Sequence, residues 1–129
     1  MLTLTAAYPI KRCMTPPQSR FDLDSSERND AVIVRIQGEL GITEVDRLRA
    51  YLLGFSAQHP ALTVFDLSGL TFITSLAMGA LVEYRRGVLR HGGQVRLAGL
   101  NPSLQEAFVH SGLGALMPIH ETVDQAVQA

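Results

Sequence analysis

Residues 61–86 read ALTVFDLSGLTFITSLAMGALVEYRR, and the fold class turns on how this stretch divides. ALTVFDL, at 61–67, is a continuous apolar run ending in a carboxylate, as suits a strand buried on both faces. Leu67–Thr74 carries Ser, Gly and Thr and joins that strand to a helix. From Ser75 to about His91 apolar residues recur at helical spacing, with Leu76, Ala80, Tyr84 and Val88 on one stripe and Leu81 beside it. Gly92-Gly93 stops that helix. Met78 and Val82, one and two turns along from Ser75, fall off the stripe.

Towards the N-terminus, FDLD (21–24) and AVIVRIQG (31–38) predict a β-hairpin around SSERND, and GELG (38–41) predicts a turn. Thr43 is placed to cap a helix in which Val45, Leu48, Leu52 and Phe55 keep helical spacing. Pro60 disfavours helical backbone in the residue before it, so that helix ends near 54–59. Towards the C-terminus, Gln94–Ala98 reads as a strand. Asn101-Pro102 is a cap followed by proline at the first helical position, with Leu104, Ala107 and Phe108 facing inward and Gly112 closing the helix. Ala115–Ile119 reads as a short extended segment, and Glu121–Gln128 as a last helix with Val123 and Val127 on one side. The order is ββαβαβαα with room for one more strand: a small mixed sheet packed with about four helices, of the α/β class. Residues 1–19 hold three prolines and no periodicity and read as a flexible tail, leaving 20–129 as the single domain.

Bulk composition narrows the function. The chain has 129 residues, 47% apolar and 18% charged, with a net charge of −1, so it carries no electrostatic footprint for nucleic acid. Lys11 is the only lysine and lies in the tail, which argues against a phosphate-loop lysine or Schiff-base chemistry. Cys13 is the only cysteine, so neither an internal disulfide nor a multi-cysteine metal cluster is expected, and a reducing cytoplasm fits. The longest uncharged runs, 50–65 and 67–82, fall short of the roughly 20 residues that span a bilayer.

The candidate sites follow from this frame. Ser75 opens the second long helix, where free backbone amides and the helix dipole favour negative charge. A phosphate there would bring a charge of about −1.5 to −2 next to Met78 and Val82, which suggests a docking face that works bare and fails when phosphorylated. The plainer reading of Thr74 and Ser75 is capping alone. Asp66 ends the central strand, where ligands collect in open α/β sheets. A phospho-aspartate receiver would also need further acids and a late lysine, so acceptance of hydrogen bonds from the Ser68–Leu70 turn is the better expectation. The four histidines, His59, His91, His110 and His120, lie in separate segments without metal-ligand spacing. Glu39 has no paired carboxylate for acid–base work. No catalytic constellation, metal site or cofactor motif emerges.

VIVRIQGEL, VFDLSGLTFITS with the following MGAL, the RHGG helix stop, VRLAGLNPSLQEAF and SGLGALMPI occur in that order. Together they make the stretch from about Phe21 to Val127 resemble the STAS domain of bacterial anti-sigma factor antagonists. The resemblance implies a single STAS-type domain that binds an anti-sigma factor and so releases a sigma factor, without catalysis. It further implies a Ser/Thr kinase as the anti-sigma partner and a phosphatase that reverses it, with Ser75 as acceptor and Thr74, Leu76, Met78, Val82 and Glu39 contacting the partner. Family members typically read Asp-Ser-Ser-Gly at the acceptor; here Thr74, Leu76 and Ala77 replace the acid, the second serine and the glycine, and Gly41 stands where an Asp is usual. These departures keep a second expectation open, a non-phosphorylated scaffold in a stress-signalling or transporter-associated complex. No nucleic acid or membrane insertion is expected, and a weak homodimer is the one self-association allowed for.

Overall fold

The computed structural model of the chain describes residues 20–28 and 30–128. The expected tail at 1–19 lies outside the described residues. The elements are β1 (Phe21–Arg28), β2 (Ala31–Leu40), a 3-10 turn (Ile42–Glu44), α1 (Val45–Ser56), β3 (Leu62–Asp66), β4 (Leu70–Ile73), α2 (Ser75–Arg90), β5 (Gln94–Ala98), α3 (Pro102–His110), α4 (Leu113–Leu116), β6 (Ile119–His120) and α5 (Val123–Gln128). The mixed α/β class holds. α4 and the strand β4 were not expected.

Strand order is β1-β2-β3-β5-β6, with β1 antiparallel to β2 and the remaining pairs parallel. β3 and β4 share one edge of β2: Ala31–Arg35 pairs with β3, and Gly38–Leu40 pairs with β4 further along. The chain therefore turns at Ser68-Gly69 and continues in the same direction. That turn carries β4 to the C-terminal end of β2 and releases α2 there.

Alternation along β2 explains the two layers. Val32, Val34 and Ile36 join the main core with Phe65, Leu97 and the inward faces of α1, α2 and α3. Ala31 and Ile33 point to the other face, where Ala126 of α5 covers them with Val64 and Ala98. The expected inward residues Val45, Leu48, Leu52 and Phe55 of α1 are all buried, as are Leu104 and Phe108 of α3. Within the main core the Thr63 and Tyr84 hydroxyls hydrogen-bond at 2.8 Å, tying β3 to α2.

Four local expectations are corrected. SSER extends β1 rather than forming the turn, because its backbone completes the ladder to Ala31–Val34. GELG is not a turn: Gly38 makes an irregularity within β2, at φ +97°, and the strand runs on to Leu40. An added Cβ at Gly38 would meet the Arg20 carbonyl oxygen at 2.2 Å, and that oxygen accepts the Glu39 N–H at 2.7 Å. Thr43 does not cap α1; it lies in the 3-10 turn, whose Glu44 carboxylate is buried and accepts from the Gly41 N–H (2.9 Å) and the Thr43 hydroxyl (2.6 Å). The segment 115–119 is split between the end of α4 and β6. No helix among the described residues is long and apolar enough to cross a membrane.

Candidate functional site

Thr74 sets the geometry of the α2 N-terminus. Its backbone is extended (φ −88°, ψ 164°), its N–H donates to the Leu40 carbonyl at 3.0 Å, and its hydroxyl accepts from the Ala77 N–H at 3.3 Å. The first contact fastens the helix start to the end of β2. The second satisfies one of the amides a helix leaves unpaired at its start. Ser75 is then the first residue of a 16-residue helix; it is exposed, and its hydroxyl has no partner among the described residues. The Ser75 and Leu76 amides have no acceptor within the helix by construction, so a negative group on Ser75 meets free N–H donors and the positive end of the dipole.

Three large apolar side chains are exposed on the segments that meet at the start of α2. Leu76 is 51% exposed, Phe72 in β4 is 50% exposed, and Ile42 in the 3-10 turn after β2 is 69% exposed. β2 and β4 end together here, Leu40 opposite Ile73 and Glu39 opposite Phe72. Glu39 is exposed and pairs with Arg20 at 3.4 Å, leaving a carboxylate on the rim of the patch.

The remaining candidates divide. Met78 is not on an outer face: it is 8% exposed within the main core, and its sulfur accepts a weak hydrogen bond from the Ser111 hydroxyl at 3.7 Å. The buried face of α2 keeps Ala80, Leu81, Tyr84 and Val88 as their spacing predicts, but at its first turn it takes in Ala77 and Met78 instead of Leu76. The buried face is therefore wider than the expected stripe on the Met78 side, which buries Met78, and narrower on the Leu76 side, which leaves Leu76 exposed. Val82 is half-buried against the core. Asp66 Oδ1 accepts from the Ser68 N–H (3.1 Å) and hydroxyl (2.8 Å), while Arg35 Nε stands 3.9 Å from Oδ2. This carboxylate is committed to shaping the turn between β3 and β4.

Sequence reasoning missed Phe72 and Ile42. Phe72 was hidden because LTFI does not alternate, so its outward residues were not read as a strand face. The signal for Ile42 was an apolar residue directly after a β-strand, which spacing alone cannot tell from core.

Comparison with known proteins adds the family. Residues 22–126 match the model of the STAS domain. The chain belongs to the STAS domain family. This STAS domain is 30% identical over 108 residues to an anti-sigma F factor antagonist of Lysinibacillus sphaericus, covering 83% of the chain and 91% of the relative. Among solved structures it resembles an anti-sigma factor antagonist from Mycobacterium paratuberculosis, with a TM-score of 0.78 at 20% identity, covering 89% of this chain and 97% of that one. It also resembles the Bacillus cell fate determinant SpoIIAA in its phosphorylated form, with a TM-score of 0.64 at 23% identity, covering 82% and 96%. The two structural likenesses are in fold.

Proposed function

We propose that this STAS domain is a cytoplasmic anti-sigma factor antagonist whose docking face surrounds Ser75 and is switched by phosphorylation of that residue. In this reading the bare protein binds an anti-sigma factor that is itself a Ser/Thr kinase, and so frees a sigma factor. Transfer of phosphate to Ser75 ends the association and a phosphatase restores it. The domain acts by binding rather than catalysis. The observation that carries the reading is the exposed Ser75 hydroxyl at the start of α2, where the ends of β2 and β4 converge and Leu76, Phe72 and Ile42 on these segments are exposed. The relative in Lysinibacillus sphaericus supplies the partner class.

The physics of the switch is asymmetric. Within the free protein a phosphate on Ser75 is favourable, because the helix N-terminus stabilises a nearby anion by about 0.3–1 kcal/mol. In the complex the same group must be desolvated against an apolar surface, which costs more than the dipole returns. Thr74 in place of the family's acid removes one negative charge beside the acceptor while keeping the cap. Leu76 in place of serine enlarges the apolar rim.

The test is the affinity of wild type, Ser75→Ala and Ser75→Asp for the anti-sigma factor by isothermal calorimetry. Ser75→Ala is expected to bind like wild type and Ser75→Asp to bind at least about tenfold more weakly, a difference of about 1.4 kcal/mol. Thermal melts should show Ser75→Asp at least as stable as wild type, separating lost docking from lost fold. Equal affinities for the two variants would remove the switch and favour the scaffold reading, a reading to which the substituted acceptor motif lends itself.

A further inference from the structure

Further along α2 from Ser75, α1 and α2 leave a half-open groove of about 440 Å³ between them. Its floor is low because the helices approach closely at Gly87, where an added Cβ would lie 3.1 Å from the Ser56 hydroxyl oxygen. Its walls are cationic. Arg49 of α1 is matched by Glu83 of α2 at 3.2 Å. Arg86 and Arg90 line the same groove one helical turn apart, both exposed, and neither forms an ion pair with any described residue. Like charges at this spacing repel, so the helix bears a local cost that carboxylates opposite it would relieve. Leu53, on the α1 wall, is 72% exposed, the most exposed large apolar side chain among the described residues.

The surface thus combines a floor of Leu52, Ala80 and Tyr84 and the exposed Leu53 with a pair of guanidinium groups that no carboxylate of the described residues neutralises. We propose that this groove is a second docking site, which takes an acidic amphipathic helix of a partner protein. The trough between two packed helices accepts the ridge of a third. Carboxylates one turn apart on the incoming helix pair with Arg86 and Arg90, and its apolar stripe covers Leu53. Arginine is the cation suited to this role, since its planar fork binds carboxylate through two hydrogen bonds. The site is independent of Ser75, so one chain can hold an anti-sigma factor at the start of α2 and a different acidic segment along α1 and α2.

Two synthetic helical peptides of about 18 residues, long enough to sustain a helix, test the proposal. Both share one leucine stripe; one carries Glu at i,i+4 positions on its polar flank and the other Lys at the same positions. Each is titrated into the full ¹⁵N-labelled chain. The acidic peptide is expected to shift the amides of Leu53, Gly87 and Arg90, to bind more weakly as salt rises, and to bind Ser75→Asp as well as wild type. Its affinity should fall about tenfold in the R86E/R90E double variant, whose exposed substitutions leave the amide spectrum dispersed; R86Q/R90Q should give a smaller loss in the same direction. Equal binding of the lysine peptide, undiminished binding to both double variants, or shifts centred on Phe72–Leu76 would each overturn the proposal. So would saturable binding of inorganic pyrophosphate in the groove with no response to the acidic peptide, which would assign the arginines to a small anion.

Discussion

Replacing Thr74 by Ala removes the hydroxyl that accepts from the Ala77 N–H and leaves the backbone contact to Leu40 intact. Loss of an N-cap side chain costs about 0.5–2 kcal/mol. The 3.3 Å separation is at the long end for such a bond, which places Thr74→Ala near the lower half of that range, about 0.5–1 kcal/mol. For a domain of this size that is a fall of about 4 °C in Tm per kcal/mol. Thr74→Asp keeps an acceptor at the cap and adds a negative charge at the positive end of a 16-residue helix, which contributes about 0.3–1 kcal/mol in the opposite direction. Urea denaturation of the three proteins should therefore order them Asp, Thr, Ala in midpoint with a common m-value. The difference between Asp and Thr should shrink in high salt and that between Thr and Ala should not. A neutral Thr74→Ala together with a destabilising Thr74→Asp would refute the capping geometry, and with it the placement of Ser75 as the first helical residue.

Met78→Ala is expected to lower stability by about 2–5 kcal/mol through an unfilled core site, while Leu76→Ala leaves stability within about 0.5 kcal/mol and weakens anti-sigma factor binding; chemical denaturation and calorimetry separate the two. Gly38→Ala should cost more than about 1 kcal/mol, because the left-handed backbone and the Arg20 carbonyl at 2.2 Å from the new Cβ leave it no room, and a melt that is unchanged would contradict the bulge. For the buried pair, a double-mutant cycle of Thr63→Val and Tyr84→Phe should give a coupling of about 0.5–3 kcal/mol, whereas additive losses would show that the two hydroxyls are stabilised separately.

Much of the fold was legible where one residue type has one physical role. The Asn101-Pro102 pair marked the start of α3, the non-alternating run at 61–67 marked the central strand, and Gln94–Ala98 matched β5 residue for residue. Legibility failed where backbone pairing decides the outcome and side chains do not report it. SSER is polar, yet its amides complete the β1–β2 ladder; LTFI is four residues with buried ends and an exposed middle, so neither alternation nor a long apolar run reveals β4. On α2 the spacing correctly marked Ala80, Leu81, Tyr84 and Val88 as inward, but at the first turn Leu76 and Met78 are both apolar and flank the stripe, so only tertiary packing decides that Met78 is buried and Leu76 exposed. At the site, the serine and its cap could be read from sequence. The apolar rim could not, because Phe72 and Ile42 come from elements that only the sheet topology brings to the end of α2.

The most direct test of the central claim is to recover the protein with its partners from its own host and to measure Ser75 phosphorylation, by mass spectrometry, separately in the bound and unbound pools. The account predicts unmodified Ser75 in the complex with a kinase-like anti-sigma factor, and phospho-Ser75 confined to the unbound protein. Phospho-Ser75 present equally in both pools, or a stable complex in which Ser75 is never modified under any condition, would contradict it.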